Sequence, residues 1–412
     1  MNIPLKARAI HYFATAERLR AAVAVAGALA SSGIAHADTI FSADATVKGQ
    51  AANNPYLVAG PNTSAESISV SITPMLTYND GTGTFRLLGN VQHTEFSRFY
   101  SASDNYSISS NLTKRLSPKL SLFADLGYDS SITTANDLLS VIGGTQPVIG
   151  PTPTIPGAVA INALQRRRVA YNGDAGFDYQ PTAFDTWHIR SGFSLTRYPA
   201  IIATAQYNYF SSSIGYDRVL NGRSSIGFNV ALGRVDYLNT SIGDARTVSP
   251  QVTFSTQLDA NWSLSGSAGA TVSSTQGPVG KIRNTGFSGS ANLCRTFPRA
   301  KLCVFGSRSV QPSLLGGVVP QTNVGASYSV QLDARSDIAA SGSYTFSERL
   351  VVGGAFRPLG YGRGEITYSR RITERLKGFV GVGYAGSYND VVHRDTNYEL
   401  NCGLTYSIGG RR

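Results

Sequence analysis

The chain has 412 residues, 42% of them hydrophobic and 15% charged, with 43 glycines and a formal net charge of +11. A soluble globular domain typically carries about 25% charged residues, so this composition argues against a soluble enzyme. Beyond Ala37 no apolar run reaches the roughly 20 residues that a membrane helix needs, which excludes a helical bundle.

The N-terminus reads as an export signal. Lys6, Arg8, Arg18 and Arg20 precede an apolar stretch from Ala21 to Ala30, and Ala35-His36-Ala37 has the small-x-small form of a cleavage site. The expected organisation is a cleaved signal peptide over 1–37 and one domain over 38–412. Removal of the signal leaves the chain basic, an excess that favours anionic partners or solutes.

Period-two alternation follows. In Ile68-Ser-Val-Ser-Ile-Thr-Pro-Met-Leu-Thr-Tyr78, apolar side chains are separated by small hydroxylic ones, so a strand here has one dry face and one wet face. The pattern recurs over Tyr106–Leu112, Leu120–Tyr128, Val169–Tyr179, Trp187–Leu195, Ile226–Leu232, Trp262–Val272 and Leu400–Ile408. Helical periodicity of comparable length is absent. The wet rows carry Ser, Thr, Asn, Gln, Asp and Arg, where the second layer of a sandwich would be apolar.

Connections alternate between short and long. Short ones are expected at Arg115–Lys119, Gln180–Phe184, Val219–Arg223, Asp259–Asn261, Phe297–Ala300 and Thr373–Leu376. Longer ones fall at Ser131–Arg166, Tyr237–Thr247, Ser274–Arg283 and Gln311–Gln321. Strands of about ten residues with this rhythm are those of an all-β, transmembrane, antiparallel up-and-down β-barrel in the cell outer membrane. Between Gln321 and Arg357 two turn signals compete, Asp333–Ser336 and Ser347–Arg349; even strand numbers then leave about 16 or 18. Tyr78, Phe99, Tyr128, Tyr179, Tyr198, Tyr237 and Tyr384, near strand ends, are expected to form aromatic girdles at headgroup depth.

Centring a hairpin on Pro298-Arg299 sets Cys294 opposite Cys303 and Leu293 opposite Val304. Both sulfurs then point to the wet side, within reach of a cross-strand disulfide in an oxidising compartment. Cys402 shares its parity with Leu400, Leu404 and Tyr406 and reads as a small lipid-facing hydrophobe. The opposite parity places Asp174, Asp178, His188, Arg190, Arg363, Glu365 and Glu399 on the wall of a pore, among Ser and Thr. The Pro-rich segment 131–166, ending in Arg166-Arg167-Arg168, reads as a surface loop that meets lipopolysaccharide, with an inward constriction as the other reading.

No Gly-x-Ser-x-Gly, HExxH, Walker A loop or Cys/His ligand cluster occurs, so neither an enzyme nor a cofactor is expected. Leu112-Thr-Lys-Arg-Leu116, Phe346-Ser-Glu-Arg-Leu350 and Ile372-Thr-Glu-Arg-Leu376 repeat one turn pattern. With Asn53-Asn54-Pro55-Tyr56-Leu57 and the overall layout, these resemble the type 2 β-barrel porin family of Gram-negative outer membranes. The last strand, Asn401-Cys-Gly-Leu-Thr-Tyr-Ser-Ile408, resembles the signal read by barrel-assembly machinery, with Asn401, Gly403, Tyr406 and Ile408 in its fixed positions; the chain then continues through Gly409-Gly410-Arg411-Arg412.

The expected function is a passive, water-filled route for small polar solutes or for an exported polysaccharide. The alternative is a non-conducting structural or adhesive barrel that works through its surface loops. Expected partners are outer-membrane lipid, lipopolysaccharide, the assembly machinery and, for the polymer reading, polysaccharide export components; nucleic acid is not among them.

Overall fold

A computed structural model describes residues 38–60, 63–132, 166–199, 206–238, 243–277, 280–312, 317–347, 359–388 and 394–409. Residues 1–37, nearly all of the 131–166 segment, and Glu348-Arg349-Leu350 of the repeated turn pattern lie outside the described residues.

Eighteen strands form one antiparallel sheet: β1 (Asp38–Ala52), β2 (Ala65–Asn79), β3 (Gly83–Phe96), β4 (Ser103–Ser117), β5 (Leu120–Ile132), β6 (Arg167–Tyr179), β7 (Asp185–Arg197), β8 (Tyr207–Asn221), β9 (Ser224–Tyr237), β10 (Ala245–Gln257), β11 (Trp262–Gly277), β12 (Gly280–Thr296), β13 (Ala300–Pro312), β14 (Val318–Gln331), β15 (Ser336–Ser347), β16 (Leu359–Arg371), β17 (Leu376–Tyr388) and β18 (Asn397–Gly409). Each strand pairs with its sequence neighbours, and β1 also pairs with β18, from Ser42 opposite Gly409 to Ala52 opposite Glu399. The sheet is therefore a closed barrel without an edge.

Both competing turn signals between Gln321 and Arg357 prove to be strand boundaries. Leu332–Arg335 is the short turn between β14 and β15, and Ser347 ends β15 on the opposite side, which settles the number at eighteen. Two expectations about connections are corrected. Leu112–Leu116 lies inside β4, with its turn at Pro118 and Lys119. Ser274–Arg283 is no long loop, because β11 and β12 stay paired up to Gly277 opposite Gly280. Strands of 12 to 17 residues outrun the hydrocarbon, so the wall extends past the membrane where the alternation stops being apolar.

The connections that follow the even-numbered strands are all short and lie at one end, which is the periplasmic end by the usual barrel rule. At Asp80-Gly81-Thr82 the turn needs a left-handed residue, and Gly81 supplies it with a φ of 80°. Asp80 accepts from the backbone N–H groups of Thr82 and Gly83 and from the ammonium of Lys114. The Lys114 bond, the largest cause, followed by those from Thr82 and Gly83, holds the Asp80 carboxyl well below the usual carboxylate range.

Candidate functional site: the lumenal wall

The register divides the strands into two faces. Val47, Val70, Leu126, Ile214, Leu232, Val304, Val382 and Leu404 share one parity and lie bare on the outside of the closed sheet. In water such a surface would drive aggregation, whereas in hydrocarbon it is a lipid belt. The chain is an outer-membrane β-barrel. Its candidate site is the other face.

That face is built from small polar residues. Along β10 to β12 the inward rows are Thr247, Ser249, Gln251 and Thr253, then Ser265, Ser267, Thr271 and Ser273, then Ser288, Ser290 and Asn292, with no charged residue among them. Neighbouring hydroxyls bond along the wall, as in Ser249–Thr271 at 2.7 Å and Ser267–Ser290 at 3.1 Å. Short side chains bonded to one another along the wall project little into the barrel.

Charges concentrate on β5 to β8. Asp174, Asp178, His188 and Arg190 all lie on the inward parity, and three of them meet. His188 Nδ1 is 2.7 Å from Asp178 and its Nε2 is 2.9 Å from Asp217, while Arg190 reaches Asp178 at 3.5 Å and lies over the Phe123 ring at 4.2 Å. Asp174 stands directly opposite Asp125, which accepts from Asn111 at 2.6 Å. Asp125, Asp217 and Phe123 are functional candidates that the sequence reading missed. Parity alone exposes Asp125, since Leu122 and Leu126 face out; the contact of Asp217 with His188 requires the β7–β8 register, with His188 opposite Gly215.

Inward glycines make this arrangement possible. A Cβ on Gly227 would stand 1.8 Å from an Asp217 oxygen and 2.5 Å from Thr253 Oγ1, and one on Gly192 would stand 2.9 Å from an Asp174 oxygen. The carboxylates thus lie flat over residues without side chains.

The remaining wall candidates form a second group. Arg363 donates to Glu365 at 2.8 Å, and buried Glu399 accepts from Gln50 at 2.9 Å and from Asn401 at 3.4 Å. Asn401 and Gly403 face inward on β18, while Tyr406 and Ile408 face lipid. Gly403 leaves room for Phe379, whose ring would be 2.5 Å from an added Cβ. Cys294 and Cys303 are opposite each other on the inward parity and joined by a disulfide, and Cys402 lies exposed on the lipid side.

The outer mouth is narrowed by packing that the sequence did not signal. Tyr198 and Tyr237, expected in a lipid girdle, are instead buried inside with Tyr207, Val235, Ala245 and Val319. The Tyr237 hydroxyl donates to the Gly317 carbonyl at 2.7 Å, which ties the approach to β14 across this cluster. Tyr78, Tyr128, Tyr179 and Tyr384 do take the outward parity. Across the mouth, Asn53–Val58 folds inward, with Tyr56 packed against Phe96 and Tyr100 and Leu57 wholly buried at a φ of 49°.

No protein-family model and no curated protein matches the chain. Among solved structures it is similar to Pseudomonas aeruginosa OccK2 (OpdF) in complex with glucuronate, at 13% identity and a TM-score of 0.48, over 90% of this chain and 98% of that one. It is also similar to P. aeruginosa OpdK with vanillate, at 10% identity and a TM-score of 0.47, over 90% and 99% of the two chains. A third is P. aeruginosa OprD, at 10% identity and a TM-score of 0.44, over 91% and 96%.

Proposed function

We propose that this barrel is a porin-like, non-enzymatic channel that lets small polar solutes diffuse through the outer membrane. The observation that carries this reading is the closed eighteen-strand wall, whose inward rows are dominated by Ser, Thr, Asn, Gln and Gly. Barrels of about 16 to 18 strands are wide enough for an aqueous channel, and no described helix or strand occupies this one. Inward packing of Asn53–Val58 and of the Tyr237–Gly317 tie favours small solutes over an exported polysaccharide.

Within this reading, residues 1–37 direct export, and Asn401, Gly403, Tyr406 and Ile408 present the last strand to the assembly machinery. Outward Arg234, Arg246 and Arg283, at the outer end of their strands, meet lipopolysaccharide phosphates. The turns and the Asn53–Leu57 segment ally the chain with the type 2 β-barrel porins.

Purified barrel in a planar bilayer is expected to give discrete conductance steps, and proteoliposomes are expected to swell in small sugars. A silent protein with a folded, heat-modifiable band on gels would instead support the structural or adhesive alternative.

A further inference from the structure

Resting on the channel reading, we infer that the β5–β8 wall makes this pore prefer cations, although the chain as a whole is strongly basic. The sheet decides which charges meet the water path. Arg218, Arg234, Arg246, Lys281, Arg283 and Arg295 all fall on the outward parity. Their charge decorates the rim and the headgroup zones and is separated from the water path by the wall. The basic excess is therefore a poor guide to the lumen.

Inside, four adjacent strands present Asp125, Asp174, Asp178 and Asp217, set against the Arg190 guanidinium and the His188 imidazole. His188 is held between Asp178 and Asp217, and Arg190 is shared between Asp178 and, electrostatically, Asp174, so four carboxylates face two basic groups. Asp129, further along β5, is bound by Arg168 at 2.6 Å. Asp125 and Asp174 are left directly opposite each other, with the neutral amide of Asn111 on Asp125. In their own row the next lumenal cation is Arg86, whose backbone lies beyond Asn111, two strand spacings or roughly 10 Å from that of Asp125, and whose side chain lines the same hollow.

Two like charges on directly opposed residues repel unless a counter-ion is shared. In a wet lumen that counter-ion is a mobile cation, and rings or runs of carboxylate give cation channels their preference. A second, independent feature keeps the lane clear. Gly192 lies beneath Asp174 and Gly227 beneath Asp217, so these carboxylates rest against the wall and leave a passing ion room. The arc from β10 to β12 adds hydroxyls and amides and no opposing charge. Elsewhere Arg363 is neutralised by Glu365, and Arg115, Lys301, Arg371 and Lys377 sit at the periplasmic ends of their strands, leaving Lys48 as the free cation on the far side among the described residues.

The test is the reversal potential of the full barrel in neutral phosphatidylcholine bilayers under a KCl gradient. Wild type is expected to reverse on the potassium side of zero. The double variant Asp125→Asn, Asp174→Asn is expected to shift toward chloride, and Lys281→Ala with Arg295→Ala, on the outer face, is expected to leave the potential in place. A milder double variant, Asp125→Glu with Asp174→Glu, keeps the charge and is expected to hold the wild-type value, which separates charge from any disturbance of the wall. A conducting wild type that prefers chloride, or a neutralised variant with an unshifted potential, overturns the inference while leaving the channel intact; absence of conductance removes the channel itself.

Discussion

The backbone N–H of Asn54 donates to Oδ1 of Asn397 at 3.0 Å, across the join between the first and last strands of the barrel. The Asn54 side chain completes the clasp: its amide donates to the carbonyls of Val58 and Asp395, both at 3.0 Å, and its oxygen accepts from the Val58 N–H at 2.8 Å. Asn53 adds a bond on each side of Tyr398. Strand pairing closes the cylinder, and this polar knot, with Asn54 fully buried, holds its outer end.

Asn54→Ala leaves buried backbone groups unpaired, which costs about 2 kcal/mol. The temperature at which the folded gel band converts to the unfolded one is expected to fall more for Asn54→Ala than for Asn397→Ala, which removes one of the clasp's bonds. Equal or negligible losses would mean that the clasp is incidental to closure.

Orientation is tested by two adjacent residues at the middle of β8. Ile214 faces out and Ser213 faces in, opposite Arg190 on β7. Ile214→Arg puts a guanidinium in hydrocarbon and is expected to cost about 2–4 kcal/mol in urea titrations with lipid vesicles. Ser213→Arg adds a wet charge facing Arg190 and is expected to cost less stability than Ile214→Arg while reducing conductance. The reverse order would place lipid on the wrong face.

With Cys294 and Cys303 bonded and Cys402 free, the denatured, unreduced protein is expected to take one maleimide, and the reduced protein three. Cys294→Ser with Cys303→Ser is expected to lower stability by about 2 kcal/mol, less than an unstructured loop would give because the hairpin is already hydrogen-bonded. Mass spectrometry reads the first outcome and urea unfolding the second.

Gly227 is a candidate for a coupled pair of substitutions. Gly227→Ala drives a methyl into Asp217 and Thr253 and is expected to destabilise by about 1–3 kcal/mol. In an Asp217→Ala background the same change is expected to cost less, because one of the clashing groups is gone. Additive losses would show that the carboxylate does not rest on this glycine.

Asp80, in the β2–β3 turn, gives a pH dependence with a defined sign. A carboxyl held low in the folded state binds fewer protons there than in the unfolded chain, so its contribution is present at neutral pH and fades as pH falls through its folded-state value. Asp80→Asn is expected to unfold more readily than wild type at neutral pH and to converge with it in acid. A gap that persists in strong acid would assign the effect to turn geometry alone.

Much of the wall was legible because a strand's side-chain period is two, so one apolar row marks every inward residue on the same strand. That is why Asp174, His188 and Glu399 were found on the wet face from their neighbours, and why Cys294 and Cys303 could be set opposite each other across a short hairpin. Aromatic rings defeated the same logic at Tyr198 and Tyr237. Near a strand end, a ring at headgroup depth and a ring packed into a mouth carry the same local signal.

The all-β class and the division into greasy and wet rows followed from the order of residues alone, since both depend on contacts or contrasts within a few positions. The three-dimensional structure decided the rest: closure at eighteen strands, the meeting of His188 with Asp217, the clasp of Asn54 on Asn397, and the placing of Asp125 directly opposite Asp174. These depend on register between strands and on ring closure, which join residues as far apart as the two ends of the chain; only the folded sheet sets those distances.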